Sequence, residues 1–318
     1  MTSEGRVLVT GGAGFIGSHV CEAYLEAGWE VTALDDLSTG RRENVPEGAR
    51  FVEMDIRSDG IRRVFEEGRF DVLNHHAAQI DVRRSVADPG FDASVNILGV
   101  VNLLEAALAT DVGRVLFISS GGVVYGDAET TPTPETAPKQ PVSPYGVGKL
   151  TGEHYLYYYA KVHGLRYAAL RYANVYGPRQ DPHGEAGVVA IFSGRIAAGE
   201  PLTVYGDGRQ TRDYVFVKDV AEANLLLTGI DLVEPSAIDD AAYNVGTGRE
   251  TDVLELAEAL METAGRRVEV EHAPARPGEL QRSALDPGRI EAAGWSGGRS
   301  LEEGLAATYG ALQDGGRA

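Results

Sequence analysis

Short apolar runs alternate with longer segments of helical periodicity through the first half of the chain. This alternation is typical of a parallel sheet whose strands are joined by crossover helices. The predicted strands are 6–10, 30–35, 50–54, 72–75, 114–118 and 166–171. The predicted helices of this half are 15–27, 61–67, 91–110 and 144–163. The pattern therefore predicts the α/β class, with a doubly wound parallel sheet.

The pattern loosens after Asn174, where Gly177-Pro178, Asp181-Pro182 and His183-Gly184 mark turns. Further helices are predicted at 188–199, 253–264 and 301–312, with short strands between them. We expect a larger domain over residues 1–175, to which the chain returns over 214–250. Residues 176–213 and 251–318 are expected to form a smaller α/β lobe.

The first predicted strand runs into a glycine-rich turn, in which Gly11, Gly14 and Gly17 have the spacing G-x-x-G-x-x-G. Gly11 suits a tight turn, Gly14 lets a pyrophosphate approach the backbone, and Gly17 lets the following helix pack on the strand. Phe15 and Ile16 open that helix, whose free N–H groups would meet the phosphates. Strand, glycines and helix in this order predict a Rossmann dinucleotide-binding domain.

The second predicted strand ends in an acid, Asp35, 18 residues after Gly17. A carboxylate there suits the hydroxyl groups of an adenosine ribose, which favours NAD over NADP. Arg41 and Arg42 follow in the next loop, and an arginine near this place is also how a 2′-phosphate is accommodated. The sequence predicts NAD as the cofactor and leaves the part played by these two arginines open.

A tyrosine and a lysine four residues apart, Tyr145 and Lys149, lie in a helix that Ser143 would cap and Pro144 would begin. This spacing brings the phenol and the ammonium to one helix face. The helix dipole and the lysine charge both stabilise a phenolate, which favours use of the tyrosine as a base near neutral pH. An ordinary surface Tyr and Lys is the alternative interpretation.

Together, the glycine-rich turn and the Tyr-x-x-x-Lys pair resemble the extended short-chain dehydrogenases/reductases (extended SDR), in particular their nucleotide-sugar epimerase and dehydratase group. The resemblance runs from Gly11 to about Trp295 and is nearest to the UDP-glucose (UDP-galactose) 4-epimerases. It implies an NAD-dependent isomerase acting through a transient 4-keto sugar, with Tyr145 as the catalytic base and Lys149 as its activator. Two alternatives stay open: another nucleotide-sugar enzyme, such as a UDP-glucuronate 4-epimerase or a dehydratase, and a non-catalytic NAD-binding sensor.

The resemblance also assigns further residues to NAD. These are Asp55 and Ile56 beside the adenine, Ala77 and Ala78 where the backbone runs past the cofactor, and Asn96 and Tyr172 near the nicotinamide. An ordinary acid at a strand end is the alternative for Asp55, and a packing or solvated residue is the alternative for Asn96. No H-E-x-x-H or C-x-x-C spacing is present, so we expect no catalytic metal.

The segment Ser-Ser-Gly-Gly-Val-Val-Tyr-Gly, which begins at Ser119, bears on the reaction. Related dehydratases carry Asp or Glu here as a general acid, whereas this chain has two glycines and a valine. Epimerisation needs no such acid, because the proton leaves and returns at one oxygen. Related epimerases carry Ser or Thr at the position of Gly121, so either Ser120 or water takes that part here, or Tyr145 acts directly.

The resemblance places a UDP-sugar substrate on the second half of the chain. Asn174 would reach the phosphates or the sugar, and Arg212 and Arg276 lie in two arginine motifs that would bind the pyrophosphate in bidentate fashion. Glu279 would take the uridine ribose, and surface salt bridges are the alternative for both motifs. Ser283 falls where bulk excludes an N-acetyl group, so its small side chain predicts activity on UDP-N-acetylhexosamines as well.

Composition and charge bear mainly on which partners and compartments are excluded. A net charge of −18 argues against nucleic acid or an anionic membrane as a partner, and we expect no apolar run of the length a membrane helix needs. The single cysteine, Cys21, has no partner for an internal disulfide, and the first strand leaves no room for a signal peptide. We therefore expect a cytoplasmic protein.

Four tyrosines occur close together in the helix predicted at 144–163: Tyr155, Tyr157, Tyr158 and Tyr159. They suggest a stacking platform or, in the interpretation we favour, a core or dimer face. The resemblance implies that this helix and the one at 91–110 pair with their copies in a homodimer.

Overall fold

The computed structural model describes residues 4–182, 187–276 and 280–315. Seven strands in this part of the chain form one parallel sheet. In spatial order they are Ala242–Val245 (β11), Tyr167–Tyr172 (β6), Arg114–Ser120 (β5), Val72–His75 (β4), Arg6–Thr10 (β1), Glu30–Asp35 (β2) and Arg50–Glu53 (β3). The order reverses between β4 and β1, the point at which doubly wound sheets bind ligands. The predicted fold class is confirmed.

Helices cover both faces of this sheet and, together with short strands, form the smaller lobe. They are Phe15–Glu26 (α1), Ile61–Gly68 (α2), Val82–Ala87 (α3), Pro89–Ala93 (α4), Val100–Ala109 (α5), Gly121–Val124 (α6), Pro144–His163 (α7), Val188–Ala198 (α8), Val217–Gly229 (α9), Val253–Ala264 (α10), Gly288–Ala292 (α11) and Leu301–Gln313 (α12). A π-helical turn, Ser94–Gly99, joins α4 to α5. Leu104 of α5 and Leu156 of α7 are buried on one face of the sheet, whereas Val20 and Tyr24 of α1 are buried on the other. The sheet is thus covered on both faces, as its continuous apolar strands require.

Helix α7 begins and ends where its sequence predicts. The Ser143 hydroxyl accepts the Gly146 N–H at 3.2 Å, Pro144 is the first helical residue, and Gly164 ends the helix with a φ of 72°. A Cβ at Gly152 would lie 2.5 Å from the ring of Phe117, so only glycine lets α7 approach β5 this closely. The close approach fixes the helix that carries Tyr145 against β5, the third strand of the sheet from the β11 edge.

The smaller lobe has its own core and short paired strands. These strands are Asn174–Tyr176 (β7) with Tyr214–Phe216 (β10), Leu202–Tyr205 (β8) with Val270–Ala273 (β13), and Thr211–Arg212 (β9) with Thr251–Asp252 (β12). Phe192, Leu256 and Leu305 lie in its hydrophobic cluster. The assignment of all of 251–318 to this lobe needs a correction, because Ile290 and Trp295 are buried in the cluster around β6 and β11.

One apolar stretch differs from expectation. Pro89–Ala109 has 21 residues and a window of mean hydropathy 1.4, so by length and composition alone it could cross a membrane. The expectation that no run approaches this length was wrong. Buried core helices pass the same test, and 44% of the window is buried here against the sheet and α7.

Candidate active site

The predicted phosphate-binding turn follows β1 and leads into α1. Gly11 has a φ of 70°, a conformation that favours glycine, and its N–H donates to the Leu34 carbonyl at 2.7 Å. A Cβ at Gly17 would lie 2.1 Å from the Gly11 carbonyl oxygen, which explains why the helix needs glycine there. Gly14 is the N-cap of α1 and offers no side-chain oxygen, which suits an anion at the first N–H groups of the helix. Phe15 and Ile16 are half-buried in its first turn.

Asp35 lies buried at the end of β2, beside this turn. Its carboxylate accepts the Ala13 N–H at 3.0 Å and the Leu37 N–H at 2.9 Å, while burial raises the pKa of the group. Arg41 donates to Asp181 at 2.9 Å, and the Arg42 guanidinium stacks 4.6 Å from the centre of the Phe51 ring. Both arginines are therefore engaged elsewhere, which leaves Asp35 to meet the ribose and favours NAD.

The adenine residues predicted at 55 and 56 have partners inside the protein. The Asp55 carboxylate accepts a hydrogen bond from Arg57 Nε at 3.0 Å, and this guanidinium lowers the pKa of Asp55. Ile56 is buried, and its carbonyl accepts Asn102 Nδ2 at 2.7 Å. Both residues are thus held in place just after β3, the edge strand of the sheet.

The loop after β4 packs directly on the glycine-rich turn, because a Cβ at Gly11 would meet Ala77 N at 2.7 Å. Ala77 and Ala78 are half-buried along this loop. Asn96 is buried in the π-helical turn, where its amide donates to Gln79 O at 2.9 Å and to Asp92 at 3.0 Å, and its oxygen accepts Gln79 N at 3.0 Å. These bonds hold Asn96 beside the loop after β4, and its place near the nicotinamide stays a prediction.

Tyr145 and Lys149 share one face of α7. Lys149 is 3% exposed, its Nζ donates to the Ile118 carbonyl at 2.8 Å, and it lies 5.8 Å from the centre of the Tyr145 ring. Burial lowers the pKa of Lys149 to about 8, against the opposing charges of Asp92 and Glu153. The lysine is thus held in one position beneath a half-buried phenol.

A cleft of about 200 Å³ opens at the carboxyl ends of β5 and β6. Its lining residues are Ser120, Gly122, Val123, Ala173, Asn174, Arg212, Leu280 and Ser283. Four of these, Ser120, Asn174, Arg212 and Ser283, are predicted site residues from separate parts of the chain. A Cβ at Gly146 would lie 2.9 Å from the Val123 carbonyl oxygen, so the turn that carries Tyr145 packs against the wall of the cleft.

The glycine at 121 has a structural explanation. A Cβ there would lie 2.5 Å from Leu285 Cδ1, so the leucine fills the space in which related epimerases carry a hydroxyl side chain. The buried carboxylate of Asp213 accepts the Leu285 N–H at 3.1 Å and the Thr247 N–H at 2.9 Å. Ser120, one residue earlier, is half-buried and lines the cleft. Its hydroxyl is adjacent in sequence to position 121, where related epimerases carry Ser or Thr.

Arg212 lies at the cleft wall, whereas Arg276 and Tyr172 lie outside the cleft lining. Arg212 Nη1 donates to the carbonyls of Thr211 and Leu280 at 2.7 and 2.9 Å, which orients its guanidinium at the cleft wall. Arg276 is exposed and stacks 3.9 Å from the centre of the Tyr205 ring, outside the lining. Glu279 lies outside the described residues. Tyr172 is buried at the end of β6, where its hydroxyl accepts Asn224 Nδ2 at 2.6 Å and its ring lies 6.3 Å from that of His76.

Sequence reasoning missed Leu285, which makes no motif and contacts Gly121 only through the fold. It also missed the buried pair of Glu153 and Arg171. Glu153 follows Lys149 by the same four-residue step that singled out Lys149, so this signal was present in the sequence. Among residues 4–182, 187–276 and 280–315, no group of three or more His, Cys, Asp or Glu side chains is arranged to hold a metal ion.

Residues 7–246 match the model of the NAD dependent epimerase/dehydratase family. Three solved structures are similar over almost the whole chain. The UDP-glucose 4-epimerase of Thermotoga maritima with UDP-glucose is 44% identical and has a TM-score of 0.93, covering 98% of this chain and 99% of that one. The Thermus thermophilus UDP-glucose 4-epimerase in complex with NAD is 47% identical, with a TM-score of 0.90 and coverage of 97% and 99%.

The third is a UDP-N-acetylglucosamine 4-epimerase from Methanobrevibacter ruminantium in complex with UDP-N-acetylmuramic acid. It is 32% identical with a TM-score of 0.92, and the match covers 99% of this chain and all of that one. Together with the glycine-rich turn, Asp35 and the Tyr145–Lys149 face, these matches identify the dinucleotide and the class of reaction. The chain belongs to the NAD-dependent epimerase/dehydratase family of the extended SDR enzymes.

Proposed function

We propose that this protein is a UDP-glucose/UDP-galactose 4-epimerase. The observation that carries the proposal is the cleft, which brings Ser120, Asn174, Arg212 and Ser283 together beside the helix turn of Tyr145. The Thermotoga maritima, Thermus thermophilus and Methanobrevibacter ruminantium structures are named as 4-epimerases of UDP-sugars, and the first of them contains UDP-glucose. No carboxylate lines the described part of the cleft at the segment after β5, which favours epimerisation over dehydration.

The chain's own residues divide the work of the reaction. Tyr145, as phenolate, takes the proton of the sugar 4-hydroxyl and later returns it to the same oxygen. Lys149 stabilises the phenolate by its charge, and the Ile118 carbonyl fixes its position. Bound NAD⁺ supplies the acceptor and donor of the C4 hydride. Ser120, whose hydroxyl lies in the cleft lining, is the proposed relay of that proton between the sugar oxygen and Tyr145.

The cleft offers charged and polar groups to one part of the substrate and small or apolar walls to the other. Arg212 offers a fixed cation to the pyrophosphate, with Asn174 beside it. By contrast, Gly122, Val123 and Ala173 give the sugar end small or apolar walls, and a Cβ at Gly122 would meet no atom closer than 3.9 Å. Binding energy on the UDP group therefore anchors the substrate while the keto sugar turns to present its other face.

The direct test incubates purified protein with UDP-galactose and no added cofactor, and follows the anomeric signals by proton NMR. We expect UDP-glucose to appear, because NAD⁺ retained from expression is regenerated in each cycle. No conversion, even after addition of NAD⁺, would contradict the proposal. The same assay with UDP-glucuronate separates the alternative enzyme, and a Tyr145→Phe protein that loses conversion argues against a non-catalytic sensor.

We also propose that UDP-N-acetylhexosamines are substrates. Ser283 lines the cleft with a small side chain, and a similar structure belongs to a UDP-N-acetylglucosamine 4-epimerase. Ser283→Tyr should abolish turnover of the N-acetyl sugar while sparing UDP-galactose, and Ser283→Ala, which stays small, should keep both. Equal losses on the two sugars, or no turnover of the N-acetyl sugar by the wild type, would contradict this assignment.

A cytoplasmic homodimer completes the proposal. Exposed apolar side chains lie on α7 and the turn before α5: Leu98 at 65%, Val147 at 48%, Tyr158 at 48% and Val162 at 60% exposure. Such a patch is typical of a protein interface. Light scattering should give a dimer mass that Leu98→Asp together with Val162→Asp lowers to the monomer, whereas Ala198→Asp, at an exposed position of α8 in the smaller lobe, leaves it unchanged. A monomeric wild type would contradict the dimer, and cell fractionation tests the compartment.

A further inference from the structure

A second buried charge lies behind the catalytic pair on α7. Tyr145, Lys149 and Glu153 follow one another at four-residue steps, which places them along one face of the helix. Glu153 is 0% exposed and contributes nothing to the lining of the cleft. A fully buried carboxylate is expensive unless it is paired, so its position needs a cause.

The Glu153 carboxylate is paired with Arg171 of β6 and with Ser119 of β5. Arg171, also 0% exposed, donates to Glu153 through Nη2 at 2.6 Å and through Nε at 3.1 Å. Ser119 Oγ donates to the same carboxylate at 2.5 Å. Because Ser119 precedes Ser120 and Lys149 donates to Ile118, Glu153 ties α7 to the part of β5 that carries the reaction.

Arg171 is itself held from the opposite side. Its Nη1 donates to the Glu135 carbonyl at 2.9 Å and to the Tyr125 hydroxyl at 3.0 Å, and its Nη2 donates to Asp239 at 2.9 Å. Asp239 in turn pairs with Lys139. Charges of alternating sign thus run from Lys149 through Glu153, Arg171 and Asp239 toward the surface.

The surroundings of Lys149 show why a second carboxylate matters. The titratable or charged groups near it, on α7, on the π-turn side and at the end of β4, are His75, His76, Asp92, Tyr145 and Glu153, with Arg171 behind Glu153. Burial lowers the pKa values of both histidines, which keeps them neutral. Asp92 already accepts hydrogen bonds from Gln79 and Asn96. Glu153 is the other nearby source of negative charge.

We propose that Glu153 is a positioning residue for the reaction: held by Arg171 and Ser119, it supplies the buried negative charge that keeps Lys149 a cation beneath Tyr145. The inference deepens the proposed epimerase function and rests on it for its consequence in catalysis. Its electrostatic part concerns the protein alone and is measurable without turnover. Burial opposes the cationic form of Lys149 and the Glu153 charge supports it, in agreement with the direction of both effects on the lysine pKa.

The first test measures kcat against pH for the wild type and Glu153→Gln. Without the carboxylate, Lys149 should lose its proton at lower pH, by about one unit. The kcat of the variant relative to the wild type should therefore fall about tenfold further as the pH rises from about 6 to about 9. A merely structural role would lower kcat by the same factor at every pH, and that result would overturn the proposal. Glu153→Asp, which keeps the charge, should restore the shape of the wild-type profile.

The second test follows Lys149 directly by NMR of the cofactor-loaded protein labelled with ¹³C-lysine. The chain has only four lysines, Lys139, Lys149, Lys161 and Lys218, so each ε-carbon signal is assignable by substitution. The titration midpoint of Lys149 should lie about one pH unit lower in Glu153→Gln than in the wild type. An unchanged midpoint would overturn the proposal. Because this readout needs no substrate, a shift in a protein without epimerase activity would refute only the proposed function.

Two further variants keep both tests decisive. Asp239→Asn removes the other carboxylate of Arg171, beyond the reach of Lys149, and should leave the Lys149 midpoint unchanged. Glu153→Gln leaves the buried Arg171 guanidinium with Asp239 as its remaining carboxylate partner, which destabilises the fold. If this variant does not fold, Glu153→Gln with Arg171→Gln removes both charges and serves in its place. Because Arg171 lies behind Glu153, the loss of both charges should still lower the Lys149 midpoint, and a midpoint equal to that of Asp239→Asn would refute the charge role of Glu153.

Discussion

The cofactor side and the substrate side of the site are built in different ways. On the cofactor side, continuous stretches such as 11–17 and 143–149 supply the main residues, and Lys149 and Asp35 are buried with fixed partners. On the substrate side, Ser120, Asn174, Arg212 and Ser283 come from four separate segments and are half-buried or exposed. The difference matches the chemistry, since proton and hydride transfer need fixed geometry whereas the sugar must turn between transfers.

The two glycines that follow Ser120 repeat this contrast at close range. Gly121 faces Leu285 and has no room for a side chain, whereas Gly122 faces the open cleft. Gly121 lets Leu285 pack closely against the end of β5, whereas Gly122 leaves open space in the cleft. Substitutions on the two sides should therefore differ in kind as well as in size.

The largest effect is expected from Tyr145→Phe on the cofactor side. Removing the base should lower kcat by about 10²- to 10⁴-fold with little change in KM, because the phenol acts on the proton and adds little to substrate affinity. Tyr155→Phe, on the same helix at 36% exposure, should leave kcat unchanged. Steady-state kinetics on UDP-galactose measure both, and a fully active Tyr145→Phe protein would remove the tyrosine from the mechanism.

The buried lysine should make stability depend on pH. The folded-state pKa of about 8 lies below the ordinary value of 10.5, so between these values the unfolded chain binds more protons than the folded one. Stability contributed by this group therefore rises as the pH increases from about 8 to 10.5, by about 3 kcal/mol in total. Denaturant unfolding of the wild type against Lys149→Met should show this gain as a difference. Parallel pH curves for the two proteins would mean that Lys149 titrates normally.

Gly121→Ser and Gly122→Ser compare the glycine that packs against Leu285 with the one that faces the cleft. The new Cβ meets Leu285, so we expect a loss of about 1 to 3 kcal/mol in the free energy of unfolding, with a fall in kcat. Gly122→Ser is the matched control and should be close to neutral in stability. Adding Leu285→Ala to Gly121→Ser should recover part of the loss, and equal effects of the two serine variants would contradict the packing argument.

The smallest effect is expected on the substrate side, from Arg212→Ala. Loss of one cation from the pyrophosphate should raise KM for UDP-galactose by about tenfold, with little change in kcat. Arg209→Ala, three residues earlier and paired with Asp252 at the surface, should leave both constants unchanged. A fall in kcat alone would place Arg212 with the reacting groups instead of the anchor.

The sequence predicted the fold, the glycine-rich turn and the start of α7 well, for a physical reason. The turn at Gly11–Gly17 and the start of α7 at Ser143 depend on local backbone geometry, which nearby residues determine. The helices α3, α6 and α11 were not predicted, because four to six residues carry too little periodicity to be recognised. The longer helix α9, of 13 residues, was missed as well.

Residues that act through the tertiary fold escaped prediction. Leu285 reaches Gly121 across more than 160 positions of chain, and Glu153 finds Arg171 only once α7 lies on β5 and β6. Arg41 was ambiguous in the sequence because its partner, Asp181, lies 140 residues away. A pattern along the chain reports such a pairing only when both partners belong to a known motif.

In the proposed reaction, hydride leaves C4 and returns to it on the same enzyme molecule, while the UDP group anchors the substrate. Incubation of the purified protein with UDP-galactose deuterated at C4, in ordinary water and without added cofactor, follows this hydride. We expect the UDP-glucose formed to retain the deuterium at C4, as seen by NMR and mass spectrometry. Replacement of that deuterium by solvent hydrogen, or the absence of any UDP-glucose, would contradict it.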